Sequence, residues 1–206
     1  MRATGRATVR LAVPEVERLL DPAQAAVTGR VVLDHAPVLE PVLAALAEPE
    51  VAVRVVVARR DLLVEHRVHA TPDVAAVLVT GHEPQEGAVE EVELTGLHPA
   101  AVPALLAGLV DLGPHRRGRD GAPADPDVVR DLFSPDDLLR TSALQLAGAD
   151  SAWSVEVLAV GQEPRVLSGV DGSAGLALLL DGDDGRPAWV PSTSTDVFRT
   201  FTTVYA

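Results

Sequence analysis

The chain reads as the same run of elements twice. When residues 53–79 (VRVVVARRDLLVEHRVHATPDVAAVLV) are set over residues 155–180 (VEVLAVGQEPRVLSGVDGSAGLALLL), Val53 falls on Val155, Val55 on Val157, Val56 on Leu158, Val64 on Val166, Val68 on Val170 and Ala75 on Ala177. Upstream, Val38–Ala47 corresponds to Leu138–Ala147. Downstream, Val92–Val110 corresponds to Ala188–Tyr205 after a shorter loop. A duplicated unit that cannot bury its apolar face alone must cover it with its twin or with added helices.

Each copy reads as helix, three or four antiparallel strands, helix. In copy one, Val38, Leu39, Val42, Leu43 and Leu46 recur at helical spacing over about 37–47, and Glu48-Pro49-Glu50 stops the helix. Strands are expected at 51–58, 62–68, 74–79 and 89–94, with polar turns at Arg59-Arg60-Asp61 and Thr71-Pro72-Asp73. His98-Pro99 opens a second helix that ends near Gly113-Pro114.

In copy two, Ser134-Pro135-Asp136-Asp137 is a helix start, with proline in the first turn and acids at the positive end of the dipole. Strands follow at 153–160, 165–170, 175–180 and 186–190, then a terminal helix over 195–205. Asp171-Gly172 and Asp181-Gly182 are turn residues that tolerate positive φ. Val9–Leu11 reads as an extra strand and 14–20 as a short helix. The expected fold class is α+β: two related halves, each with a three- to four-stranded sheet, about a pseudo-two-fold axis in a single domain. Copy one covers about 1–114, a polar Gly- and Pro-rich linker about 115–127, and copy two about 128–206.

Composition narrows the function. The chain has 206 residues, is 47% hydrophobic and carries a net charge of −13, which suits a compact acidic protein with a full core. No apolar run approaches the roughly 20 residues that span a bilayer. The early arginines are not followed by an apolar signal core, so no membrane insertion and a cytoplasmic location are expected. Cysteine is absent, which excludes disulfides, thiolate catalysis and cysteine-ligated metals. The acidic excess repels phosphate, so nucleic acid is not an expected partner. All 17 basic residues are arginine, and lysine, isoleucine and asparagine are missing. That pattern marks a GC-rich genome, such as an actinobacterium's, and it removes lysine chemistry.

A search for catalytic groups finds none that converge. His66 and His69 are three apart on a strand and face opposite sides, so they read as solvated strand-end residues and not as a metal pair. His82 with Glu83 and Glu86 falls in a loop, and Asp34-His35 has no nucleophile beside it. Asp181-Gly182-Asp183-Asp184-Gly185 begins like a calcium loop, but Gly185 and Ser192 stand where ligands are required. The glycine-rich run 169–175 has no helix after it to cradle a phosphate and reads as a turn. Arg116, Arg117 and Arg119 read as a solvated linker. No catalytic residue, cofactor or metal is expected, and an enzyme is the weakest of the readings.

The few aromatics leave two readings open. Trp153, Trp189, Phe198, Phe201 and Tyr205 all fall in copy two. They are either its larger core side chains or partly exposed anchors for a partner.

The opening VRLAVPEVERLL (Val9–Leu20), the helix-to-strand passage VLEPVLAALAEPEVAVRVVV (Val38–Val57) and the two related halves resemble the EspG family. That family consists of cytosolic chaperones of type VII (ESX) secretion in actinobacteria. The resemblance implies a non-catalytic protein that uses its central sheet and terminal helices to hold the tip of a helical secreted protein or heterodimer, PE–PPE-like or WXG-type. Members are longer, with extra helices where this chain has only Asp21–Pro37 and Asp125–Ala149, so no single binding residue carries over. The other reading of the residues is a generic adaptor on the same duplicated scaffold, including a homodimer.

Overall fold

The structure, a computed structural model, describes residues 8–21, 23–80, 91–113, 121–182 and 185–205. Its elements run β1 (Thr8–Ala12), α1 (Val13–Leu20), α2 (Ala25–His35), α3 (Glu40–Ala47), β2 (Val51–Arg59), β3 (Leu62–Ala70), β4 (Ala75–Thr80), β5 (Glu91–Leu97) and α4 (Val102–Leu109). They continue as β6 (Ala122–Pro123), α5 (Pro126–Asp131), α6 (Asp137–Leu146), β7 (Ser151–Ala159), β8 (Arg165–Asp171), β9 (Ala177–Asp181), β10 (Pro187–Pro191) and α7 (Ser194–Tyr205). Helix, four strands, helix is therefore the order in both copies: α3, β2 to β5, α4, and α6, β7 to β10, α7.

The strands form one sheet in the order β1-β5-β4-β3-β2-β7-β8-β9-β10-β6. Ten strands exceed the three or four expected per half. Each four-stranded meander gains a further strand at its far edge: β1 pairs antiparallel with β5, and the two-residue β6 with β10. The segment read as a linker thus supplies β6 and the start of α5; residues 114–120, with Arg116, Arg117 and Arg119, lie outside the described residues. The stretch 21–37 also forms the helix α2, which its weak apolar periodicity did not announce.

The element starts place Val51 level with Ser151, two residues away from the sequence alignment. An even shift keeps every side chain on its own face. Val53, Val55 and Val57 are buried on β2, as are Trp153, Val155 and Val157 on β7.

The chain falls into two compact units, Met1–Val53 with His66–Val102 and Leu158–Glu163, and Arg54–Glu65 with Pro103–Val157 and Pro164–Ala206. The core of the first is aliphatic: Val16 and Leu19 of α1, Val32 of α2 and Val42, Ala45 and Leu46 of α3 cover Leu11, Ala76, Leu78, Val92 and Leu94 of the sheet. Gly96 lets α3 settle on β5, because a Cβ there would collide with Val42 Cγ2. In the second unit, Ala143 and Leu144 of α6 with Leu132 and Ala149 cover Ala58, Ala152 and Val170.

A buried arginine completes that second core. Arg140 is 1% exposed. Its guanidinium donates to the carbonyls of Arg59 (2.7 Å), Ser134 (2.8 Å) and Arg60 (3.2 Å) and pairs with Asp137. It ties α6 to the β2–β3 turn and offsets its own desolvation with four acceptors.

Candidate protein-binding surface

Opposed residues in an antiparallel pair share a sheet face. Ala152 opposes Val170, which opposes Ala177; Ser154 opposes Ser168, which opposes Leu179, which opposes Trp189; and Glu156 opposes Val166. The first row lies in the core under α6. The third row emerges from cover, with Val166 62% exposed. Arg54 of β2 joins the same face by bonding Glu65 at 2.8 Å and approaching Glu156 at 4.0 Å. The Glu65 hydrogen bond is the main reason its pKa is raised.

Beside these rows stands the outer surface of α6. Asp136 caps the helix, accepting from the backbone amides of Leu138 (2.8 Å) and Leu139 (3.1 Å). Ala143, Leu144 and Arg140 turn inward, so Leu138, Leu139 and Leu146 turn outward and are 81%, 50% and 75% exposed. Arg140 is the one charge between residues 138 and 149, and it is buried. Beyond Asp137 at its start, the outward side of this helix therefore carries three leucines with the neutral Ser142 and Gln145 and no charge, in a chain that is 23% charged. Depletion of charge around exposed large apolar side chains is the compositional mark of an interface centre.

The five aromatics do not assemble into one site. Trp153 and Phe201 are 1% exposed and stack edge to face with centroids 5.5 Å apart. They are core residues, which corrects the expectation of exposed anchors at these two positions. The Trp153 indole lies across its strand neighbour Gly169, where any Cβ would overlap the ring. Gly169 is accordingly part of β8, not of the turn expected at 169–175. Phe198 is 41% exposed on α7, and Tyr205 is half-buried, its pKa raised by burial. Trp189 alone shares the face covered by α6, lining a small cavity of about 140 Å³ with Ala147, Gly148 and Ala149 at the end of that helix.

The histidines are placed differently from expectation. His66 and His69 lie within β3, not at its solvated end. His66 is fully buried, and His69 sits with Nδ1 3.3 Å from the Leu46 carbonyl at the end of α3. Burial is the main reason that the pKa of His69 is lowered; the Leu46 bond opposes the shift and Arg67 adds to it. His82, Glu83, Glu86, Asp183 and Asp184 and the side chain of His35 lie outside the described residues. Among the described residues no three His, Asp or Glu side chains are grouped to hold a metal ion. No helix among them is long and apolar enough to cross a membrane.

The α6 leucines escaped the sequence reading for a physical reason. Leu138–Ala147 was aligned with Val38–Ala47, whose leucines are core. What differs is Arg140, which shares the inward side with Ala143 and Leu144 and leaves Leu138, Leu139 and Leu146 outside it. The detectable signal was the run 138–149, free of charge but for that arginine.

A broad, non-convergent surface of this kind is chemically suited to holding a protein. Among solved structures, the fold is similar to that of a type VII secretion chaperone. The likeness is to the Mycobacterium tuberculosis type VII secretion system chaperone EspG5, solved in complex with a PE25–PPE41 dimer. It has a TM-score of 0.55 and 18% sequence identity over 96% of this chain and 95% of that one. No family model matches the sequence, and no curated protein does either.

Proposed function

We propose that this protein is a non-catalytic, cytoplasmic chaperone of an actinobacterial type VII secretion system. It binds a helical secretion substrate, PE–PPE-like or WXG-type, and keeps it soluble before export. The observation that carries the reading is the whole-chain likeness in fold to a chaperone that was solved holding such a dimer. The exposed leucines of α6, with Trp189 and the open rows of the sheet beside them, are the surface on which the substrate tip docks. Phe198 and Tyr205 of α7 form a secondary contact.

The physical logic is that an apolar helical tip left in water aggregates, and the exposed leucines of α6 cover it while the acidic charge of the rest of the protein keeps the complex soluble. The scaffold is read as one domain of two halves, about 1–114 and 128–206, joined by 115–127 and related by a pseudo-two-fold axis. An affinity pull-down from the native host's cytosol, with mass spectrometry of the bound proteins, tests the reading. It predicts a helical exported protein, or heterodimer, at near-equal stoichiometry. Recovery of the bait alone, or of a second copy of it, contradicts the reading and favours a self-associating adaptor.

A further inference from the structure

The first unit carries a groove of about 590 Å³ between α1, α2 and α3 that the proposed chaperone surface does not use. Its floor and walls are apolar, formed by Leu19 and Leu20 of α1, Leu33 of α2 and Leu43 of α3. Three exposed charges stand at its rim: Arg30 on α2, and Glu40 and Glu48 at the two ends of α3. Among the described residues none of the three is ion-paired.

Gly29 lies in the α2 wall, and nothing in the fold explains it. Its φ is not positive, and a Cβ would meet only Leu43 Cδ1 at 3.9 Å, an ordinary contact. Glycine within a helix is less stable than alanine. Its effect here is to keep the wall low and the groove open.

From this we infer that the groove binds an amphipathic helix of a partner protein, with an apolar stripe flanked on one side by basic residues two turns apart. The eight steps from Glu40 to Glu48 span about 12 Å of helix, slightly more than two turns. Two carboxylates at that spacing are met by Lys or Arg at positions i and i+7, and Arg30 on the opposite wall is met by an acid. Helix-in-groove recognition of this type reads anchors at i, i+3, i+4 and i+7.

The test uses the full chain and a fluorescein-labelled 14-residue Leu/Lys amphipathic peptide, followed by anisotropy at physiological salt. The expected result is saturable one-to-one binding, weakened at least tenfold by Gly29→Phe and by the pair Glu40→Lys and Glu48→Lys, with thermal unfolding of both variants unchanged. A Leu/Glu peptide of the same pattern should not bind. If Gly29→Phe unfolds the protein, methyl NMR of the unaltered chain replaces it, with peptide-induced shifts expected at Leu19, Leu33 and Leu43. Binding that survives the substitutions, shifts that fall elsewhere, or occupancy by dodecyltrimethylammonium in place of the peptide would overturn the inference. The readout is separate from the secretion-substrate reading, since α6 is intact in every variant.

Discussion

The helices α3 and α6 each lead into a four-stranded meander, yet they are held down by different chemistry. α3 buries Val42, Ala45 and Leu46, and Leu39 just before it, against an aliphatic core. α6 buries Arg140 with Ala143 and Leu144, so part of its anchorage is hydrogen bonds to three carbonyls and Asp137. At the position of Arg140, α3 has the exposed Glu40. Anchoring a helix partly through a polar clamp leaves Leu138, Leu139 and Leu146 outside the core while Leu144 stays in it. The comparison teaches that two helices at the same place in the order of elements can be anchored by different chemistry, one of them turning leucines to solvent.

The sharpest way to break that contrast is to remove the clamp. Arg140→Met should cost about 2–4 kcal/mol, because the carbonyls of Arg59, Arg60 and Ser134 lose their charged donor. Glu40→Met, its counterpart, should change stability by less than about 0.5 kcal/mol. Chemical denaturation of the two variants makes the comparison, and equal effects would refute the account of α6.

A smaller loss is expected at the aromatic core of copy two. Gly169→Ala should destabilise by about 1–3 kcal/mol, since the new methyl group meets the Trp153 indole. Adding Trp153→Leu should then cost less than Trp153→Leu costs alone, and a double-mutant cycle on unfolding free energies detects the coupling.

Copy one carries a pH dependence through His69. Its pKa is lowered in the folded protein, so the unfolded chain takes up protons first as pH falls. Stability from the neutral ring is complete above the unfolded value of about 6.5 and is lost as pH drops through the lower folded value. His69→Asn should flatten the stability profile in that acid range. An unchanged profile would show that His69 does not carry the dependence.

A modest effect on stability belongs to the pair Arg54–Glu65, whose side chains are 55% and 31% exposed. Glu65→Gln should shift unfolding by at most about 1 kcal/mol, and less as salt is raised.

Much of the fold was legible because the signals were local. Val51 to Val57 alternates around Arg54, Thr71-Pro72-Asp73 turns the chain, and Ser134-Pro135-Asp136 starts α6 within a residue or two of where it begins. Less was legible where tertiary packing decides. α2 lacks a clean apolar stripe and forms against α1 and α3. β6 is two residues long and exists only through β10. Positive φ falls at Gly175 and Gly185 instead of Gly172 and Gly182. Gly172 is instead required by the close backbone of Gly148 and Ala149. The surface was hidden for the same reason: aromatics drew attention to Trp153 and Phe201, which are core, while the direction of the α6 leucines depends on where Arg140 points.

The most direct test of the central claim is size-exclusion chromatography with light scattering of this protein, with and without the pair Leu138→Glu and Leu146→Glu, mixed with the secreted helical partner recovered from the host. Both positions are exposed, so the fold should be unchanged within about 0.5 kcal/mol. The account predicts a one-to-one complex with the unaltered chain and its loss with the double variant. A complex that persists undiminished with both leucines replaced would show that the partner docks elsewhere.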